Sequence, residues 1–352
     1  MRFVLWIVLV GLVLIRFFTA FPSLPEGQKV RITQKITTEP VRYSYNQSFN
    51  LLGLRVFLPK YPEVSYGDLV VVEGRVEAGE LSDAKLIEKK EGTGVLVGLR
   101  ERLIGFYEAS LPEPHSGLVA GVVLGSKTGL SQNFWEALKK TSTAHVVVAS
   151  GMNVTLVAGF LVAFTSLFLP RGKGVYLAIL GVWLYAFLSG FDAPIIRAAA
   201  MGPVAFVAQA AGRLSTAWKG LFLSGLIMLI IWPGWIGDLG FILSFVATAS
   251  ILIFEPRIKK FLVSFPKIIK EDLSVTLAAQ IGVTPIIFAT FGQFNILSPL
   301  INVLVLWTIA PITIIAGISG VVGLVIPSLG KLLVYLCYPL TFWFVKVIEV
   351  FS

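Results

Sequence analysis

The feature that most constrains this chain is a succession of apolar blocks, each roughly 17 to 25 residues long, the length that spans the hydrocarbon core of a bilayer as α-helix. In hydrocarbon, backbone polar groups must find partners within the protein, so only helices and closed barrels cross. The blocks lack the period-2 alternation of an outer-membrane strand, which leaves a helical bundle. Charged residues make up 14% of the chain and apolar ones 56%, whereas a soluble domain carries about a quarter charged residues. The sequence therefore predicts a polytopic α-helical membrane protein with about nine transmembrane helices, some broken or re-entrant.

The first block, 1–21, opens on Met1-Arg2 and has Arg16-Phe17-Phe18 where a cleaved signal needs small residues. It reads as an uncleaved transmembrane anchor. Eight further blocks lie at 145–169, 174–190, 193–211, 216–232, 235–254, 272–290, 296–325 and 331–351; the block 296–325 holds Pro299 and Pro311 and is expected to kink or split. The single cysteine, Cys337, permits no internal disulfide, and with the two histidines, His115 and His145, it is too little for most hydrolytic zinc centres. No glycine-lysine phosphate loop is present. The chain is thus read as having no cofactor, no metal site and no catalytic residue.

Residues 28–93 break the apolar pattern. Short alternating runs, Val30 to Ile36, Phe49 to Leu58 and Asp68 to Glu77, are bounded by Gly, Pro and Asn, which are strand signals. Tyr66-Gly67-Asp68 reads as a tight turn into a twisted strand with a glycine bend. Four or five strands in about 65 residues suit a small β-barrel of the OB-like kind; a structural spacer without ligand fits the same residues.

The rest, 94–352, is read as one transmembrane domain. Val95 to Ser110 has apolar residues at helical spacing beside Arg100, Glu101, Arg102 and Glu108, as in an amphipathic helix on the membrane surface. Gly117 to Gly129 is apolar but short, more a re-entrant piece than a span, and Ser131 reads as the N-cap of a polar helix. Gly181 and the pair Gly121 and Gly125 read as packing glycines. Basic residues gather in alternate loops: Arg171 and Lys173, Arg213 and Lys219, then Arg257 to Lys270. The positive-inside rule puts these on the cytoplasmic side. The β-domain and His145 then lie outside, with every later span alternating in direction, provided 117–143 does not cross. The formal net charge of +9 largely expresses this bias and says little about nucleic acid.

Polar groups within spans are costly and therefore informative. They are His145, Ser150, Gly151 and Asn153 in one span, Asp192 and Arg197 at the head of another, and Asp238, Gln280, Gln293 and Asn302 further on. Asp192 stands as an N-cap with Pro194 in the first turn and Arg197 one turn deeper. Arg197 either lines a path for an anion or is neutralised by Asp192. Gly151 either breaks a helix beside a cavity or, with Ala149 and Ser150, packs one helix on another.

Four blocks carry a resemblance. Ala144-His145-Val-Val-Val-Ala-Ser150-Gly151-Met-Asn153 resembles the signature of the ComEC family of DNA-uptake channel proteins. Ser189 to Met201, Asp238 to Phe245, and Ala279-Gln280 through Gln293 to Asn302 are similar to later family blocks, in order. The resemblance implies a channel for single-stranded transforming DNA in the cytoplasmic membrane, with an OB-like domain outside. It also implies a DNA path past Arg197, Ser150 and Asn153, with Asp238 and Gln280 holding helices in register. In the β-domain, Arg42, Tyr43, Tyr45, Phe49 and Arg55 are the expected contacts, since OB-type domains hold single strands by basic grooves and stacked rings. Asn153 stands where family members usually carry histidine. Many members also carry a metallo-β-lactamase-like nuclease domain that these 352 residues do not contain. A separate receptor, nuclease and cytoplasmic motor are the implied partners. A secondary transporter of a small anion and a scaffold subunit of an envelope machine are the alternative readings.

Overall fold

The structure is a computed structural model and describes residues 2–20, 26–37, 39–42, 45–92, 94–127, 129–147, 151–168, 171–190, 193–210, 217–263, 266–291 and 295–352. After helix α1 (Arg2–Ala20) come six strands: β1 (Lys29–Lys35), β2 (Val41–Arg42), β3 (Asn46–Leu51), β4 (Leu54–Pro59), β5 (Leu69–Glu77) and β6 (Glu80–Lys90). They pair in the order β1-β5-β6-β4-β3-β2, antiparallel except for β4 with β6. Alternation drives the fold of this part. Leu54, Val56 and Leu58 of β4 point into a core with Ile32, Ile36, Val70 and Val72, while Arg55 and Phe57 take the other face.

Two features curl the sheet. β5 carries register shifts between Val71 and Val72 and between Glu73 and Arg75, and bulges bend a strand and increase its twist. Between them, Gly74 lets β6 approach: a Cβ there would lie 2.7 Å from Leu81 Cγ. The turn joining β3 to β4, Leu52-Gly53, reaches back to β1, where Leu52 N–H donates to Gln34 Oε1 at 2.9 Å. The described ladders form an open, curled mixed sheet. The expected turn is present as well, with Asp68 buried and accepting from the N–H groups of Ser65 (2.8 Å) and Gly92 (3.0 Å).

The helices that follow are α2 (Val95–Ser110), α3 (His115–Leu124), α4 (Gln132–Lys140), α5 (Ala144–Val147), α6 (Gly151–Ser166), α7 (Arg171–Leu188), α8 (Ala193–Ala210), α9 (Ala217–Ile231), α10 (Leu239–Phe261), α11 (Lys267–Phe291), α12 (Ser298–Val325), α13 (Pro327–Val334) and α14 (Tyr338–Phe351). Among the described residues five stretches are long and apolar enough to cross a membrane: Ala144–Thr165, Leu239–Phe261, Leu273–Thr290, Ser298–Val325 and Pro327–Phe351. Leu9–Thr19, His115–Leu124, Tyr176–Leu188 and Ala217–Ile231 are shorter apolar helices. The chain is a membrane protein with an N-terminal sheet.

Helix α3 is buried on every side, as a helix that is apolar all round after His115 and Ser116 must be. Its ten residues rise about 15 Å, half a bilayer core. It ends at Gly125, whose left-handed φ of 67° lets its N–H return to Gly121 O at 2.8 Å. Ser131 caps α4 by accepting from Phe134 N–H at 3.3 Å. Three expectations are corrected. Amphipathic α2 turns its apolar face onto protein rather than lipid, with Leu103 and Tyr107 buried in the core shared with α3 and α12. Helix α12 continues unbroken through Pro311, and its Pro299 sits in the first turn, where the missing N–H costs nothing. The interruption falls later, at the tight turn Tyr335–Cys337.

The third correction concerns direction. Gly320 and Gly323 near the C-terminal end of α12 pack against Leu103, Phe106 and Tyr107 of α2. Those residues lie only one to two turns from Arg100, which touches the β-domain through Glu39. The N-terminal end of α12 meets the middle of α11, where Gln280 Nε2 donates to Ser298 Oγ at 2.9 Å. Helix α12 therefore starts part-way along α11 and runs toward the β-domain side, so simple alternation of direction fails here.

Candidate functional site

Two helix N-termini converge around Arg197, with Gly151 of α6 packed beside them. Helix α8 starts at Ala193 and brings Arg197 one turn in; α10 starts at Leu239, capped by Asp238, whose Oδ1 accepts from Phe241 N–H at 2.8 Å. Gly151 of α6 packs against them: a Cβ there would lie 3.3 Å from Arg197 Nη2 and 3.4 Å from Ala198 Cβ. Gly240 closes the other side, 4.0 Å from Pro194 Cδ by the same measure. Each N-terminus carries a partial positive charge, so the fixed guanidinium stands in a region already biased toward anions.

Arg197 is half-buried and held by neutral groups. Its Nε donates to Ser244 Oγ of α10 at 2.7 Å, Nη1 reaches Met201 Sδ at 3.5 Å, and Cζ lies 5.9 Å from the centre of the Phe245 ring. Among the described residues no carboxylate pairs with it. Asp192, the partner considered from sequence, lies outside the described residues, as do Ser150, Gln293 and Tyr43.

The other candidates separate into two groups. Asp238 and Gln280 fasten helices, the first as a cap beside α8 and the second across α11 and α12. Asn302 is buried one turn after Ser298 on α12. Asn153 is wholly buried and donates from Nδ2 to Val122 O of α3 at 2.8 Å, so it holds α6 to α3 rather than facing an open path. His145 is exposed on α5. The structure brings Gly151 to Arg197 and Asp238 to the start of α8; it does not bring Gln280, Asn302 or Asn153 into hydrogen-bond contact with Arg197.

Sequence reasoning missed the junction at Arg100. Both it and Glu39 are buried, and they form an ion pair in which Arg100 also donates to Leu188 O (2.8 Å) and Leu124 O (3.1 Å). Those carbonyls end α7 and α3, where a cation is favoured. Ser126 Oγ donates to Glu39 at 3.2 Å, and the ring of Tyr66 lies 5.7 Å from the guanidinium carbon. One buried arginine thus gathers the β-domain, α2, α3 and α7. The only sequence signal was an arginine on the apolar side of an amphipathic pattern.

On the β-domain, Tyr45 and Tyr61 are exposed, at 90% and 69%. Lys60 joins them, its N–H on Tyr45 O at 3.0 Å and its Nζ 5.6 Å from the Tyr61 ring. Arg55 lies over Phe57 at 4.9 Å. Phe57, Lys60 and Tyr61 were not singled out from sequence. Phe49 is corrected: alternation turns it inward with Leu51, and at 4% exposure it belongs to the core. Arg42 lies in β2, and its side chain is outside the described residues.

The comparisons with known proteins decide the family. The model of the competence protein family matches residues 122–352. The chain belongs to the competence protein family. Its relatives include ComE operon protein 3 of Bacillus subtilis, 27% identical over 59% of this chain and 26% of that protein. An uncharacterized protein of Aquifex aeolicus is 32% identical over 56% of this chain and 45% of its own length. Recombination protein 2 of Haemophilus influenzae is 29% identical over 23% of this chain and 11% of that protein. The chain thus spans less than half the length of these relatives. No solved structure matches it significantly.

Proposed function

We propose that this competence-family chain forms a path for single-stranded DNA across the cytoplasmic membrane during DNA uptake. The observation that carries the reading is Arg197, an arginine without a described carboxylate partner where the N-termini of α8 and α10 converge. A DNA strand bears one charge per phosphate, and preset positive groups offset the loss of water around each one. On this reading nine helices cross, the curled sheet acts as an OB-like domain outside the membrane, and Tyr45, Arg55, Lys60 and Tyr61 stack and neutralise the arriving strand. The chain itself performs no catalysis, and a separate receptor, nuclease and motor deliver, cut and pull the strand.

The test is uptake of labelled DNA in cells lacking this protein and in cells given it back. Retention of the label outside the cytoplasmic membrane, relieved by the restored chain, supports the path. Unchanged uptake refutes it. In that case the same anion-biased entrance favours a small-anion transporter, while a scaffold subunit would tolerate apolar replacement of Arg197.

A further inference from the structure

Two buried tyrosines of the helical part are treated differently by their surroundings. The Tyr107 hydroxyl on α2 donates to Ala316 O of α12 at 2.8 Å. The Tyr185 hydroxyl on α7 is equally enclosed but has no hydrogen-bond partner among the described residues, and the same holds for Ser189 Oγ and Asn153 Oδ1. These three atoms are neighbours. Ser189 N–H donates to Tyr185 O at 2.9 Å, so the helical path continues to Ser189 and the two side chains, four residues apart, share a face. That face meets α6, where Val154, Val182 and Tyr185 share an apolar cluster and Asn153 is the adjoining residue. Ser189 and Asn153 are the polar neighbours of the Tyr185 hydroxyl, close to it but outside hydrogen-bond geometry. Asn153 cannot swing to close the gap, because its Nδ2 is fixed on Val122 O.

Leaving one buried polar atom unpaired costs about 1–3 kcal/mol, and three in one place is a cost that a single bridging molecule removes. We propose that Asn153, Tyr185 and Ser189 hold one ordered water between α6 and α7. The donor count balances: the water donates to Asn153 Oδ1 and to one hydroxyl, and accepts from the other. A metal cation suits the site poorly, since hard cations take about six or more oxygens and three side-chain oxygens converge here. The water ties α6 beside Gly151, which packs on Arg197, to the end of α7, whose Leu188 carbonyl Arg100 holds. It thereby joins the β-domain junction to the helix entrance through polar contacts.

The experiment is X-ray radiolytic labelling of the full chain in mild detergent, which modifies enclosed side chains where a water lies against them. Tyr185 should be labelled more strongly than Tyr107, and the label should be lost in Ser189→Ala and in Asn153→Leu. In thermal unfolding, Tyr185→Phe and Ser189→Ala should each lower Tm, with the double variant falling by less than the sum. Three results overturn the proposal. They are Tyr185 labelled no more than Tyr107, labelling that persists in both variants, and a Tm for Tyr185→Phe at or above wild type. Direct hydrogen bonds would couple the two substitutions but leave Tyr185 unlabelled.

Discussion

Replacing Glu39 by leucine removes the only carboxylate that Arg100 meets among the described residues. The guanidinium then stays buried with two carbonyls, Leu188 O and Leu124 O, and with the Tyr66 ring nearby. Breaking a buried pair from one side costs about 3–5 kcal/mol. The two helix ends still stabilise the cation, so Glu39→Leu should fall at the lower limit, about 3 kcal/mol. Arg100→Met should cost more, about 5 kcal/mol, because it strands Glu39 with Ser126 alone and uncovers both carbonyls. At roughly 2–4 °C per kcal/mol, Glu39→Leu lowers Tm by about 6–12 °C. The double replacement should recover much of the loss, since an apolar pair avoids the unpaired charge. The assay is thermal unfolding in mild detergent followed by the fluorescence of the eight tryptophans. Single effects that add in the double variant, or a Glu39→Leu Tm equal to wild type, would refute the reasoning.

Asp238→Ala should destabilise α10 by about 1 kcal/mol through loss of the cap, with Asp238→Asn restoring most of it, read in the same thermal assay. Tyr61→Ala should weaken binding of the detergent-solubilised chain to fluorescent single-stranded DNA by roughly tenfold, as loss of one stacking ring does. Phe49→Leu should leave that binding unchanged and lower Tm instead, because its ring fills the sheet core.

Helices were legible because an apolar run of bilayer length leaves the backbone little alternative. The cap at Ser131 was legible for a similar reason: it acts through its own next turn, so its partner is written beside it. The glycine bend at Gly74 and the turn at Asp68 are local in the same sense. What escaped depends on distant partners. Arg100 meets Glu39 and Leu188, 61 and 88 residues away, and its place on the apolar side of its own helix names neither partner. The direction of α12 is set by where Ser298 docks on α11, which hydropathy does not encode. Asn153 looked like a path residue because it is polar in a span; its anchor, the Val122 carbonyl, is a backbone group that no residue type announces. Phe49 fell to the opposite error, an aromatic taken as a contact although strand alternation put it inside.

The central claim is that Arg197 attends a moving anion, and a charge series at that position tests it most directly. Labelled-DNA entry is measured in cells carrying wild type, Arg197→Lys or Arg197→Gln at equal abundance in the membrane. Losing a hydrogen bond to a charged group costs about 1.5–3 kcal/mol, so Arg197→Gln should slow entry by at least about tenfold while Arg197→Lys keeps most of it. Entry by Arg197→Gln at the wild-type rate would contradict the account.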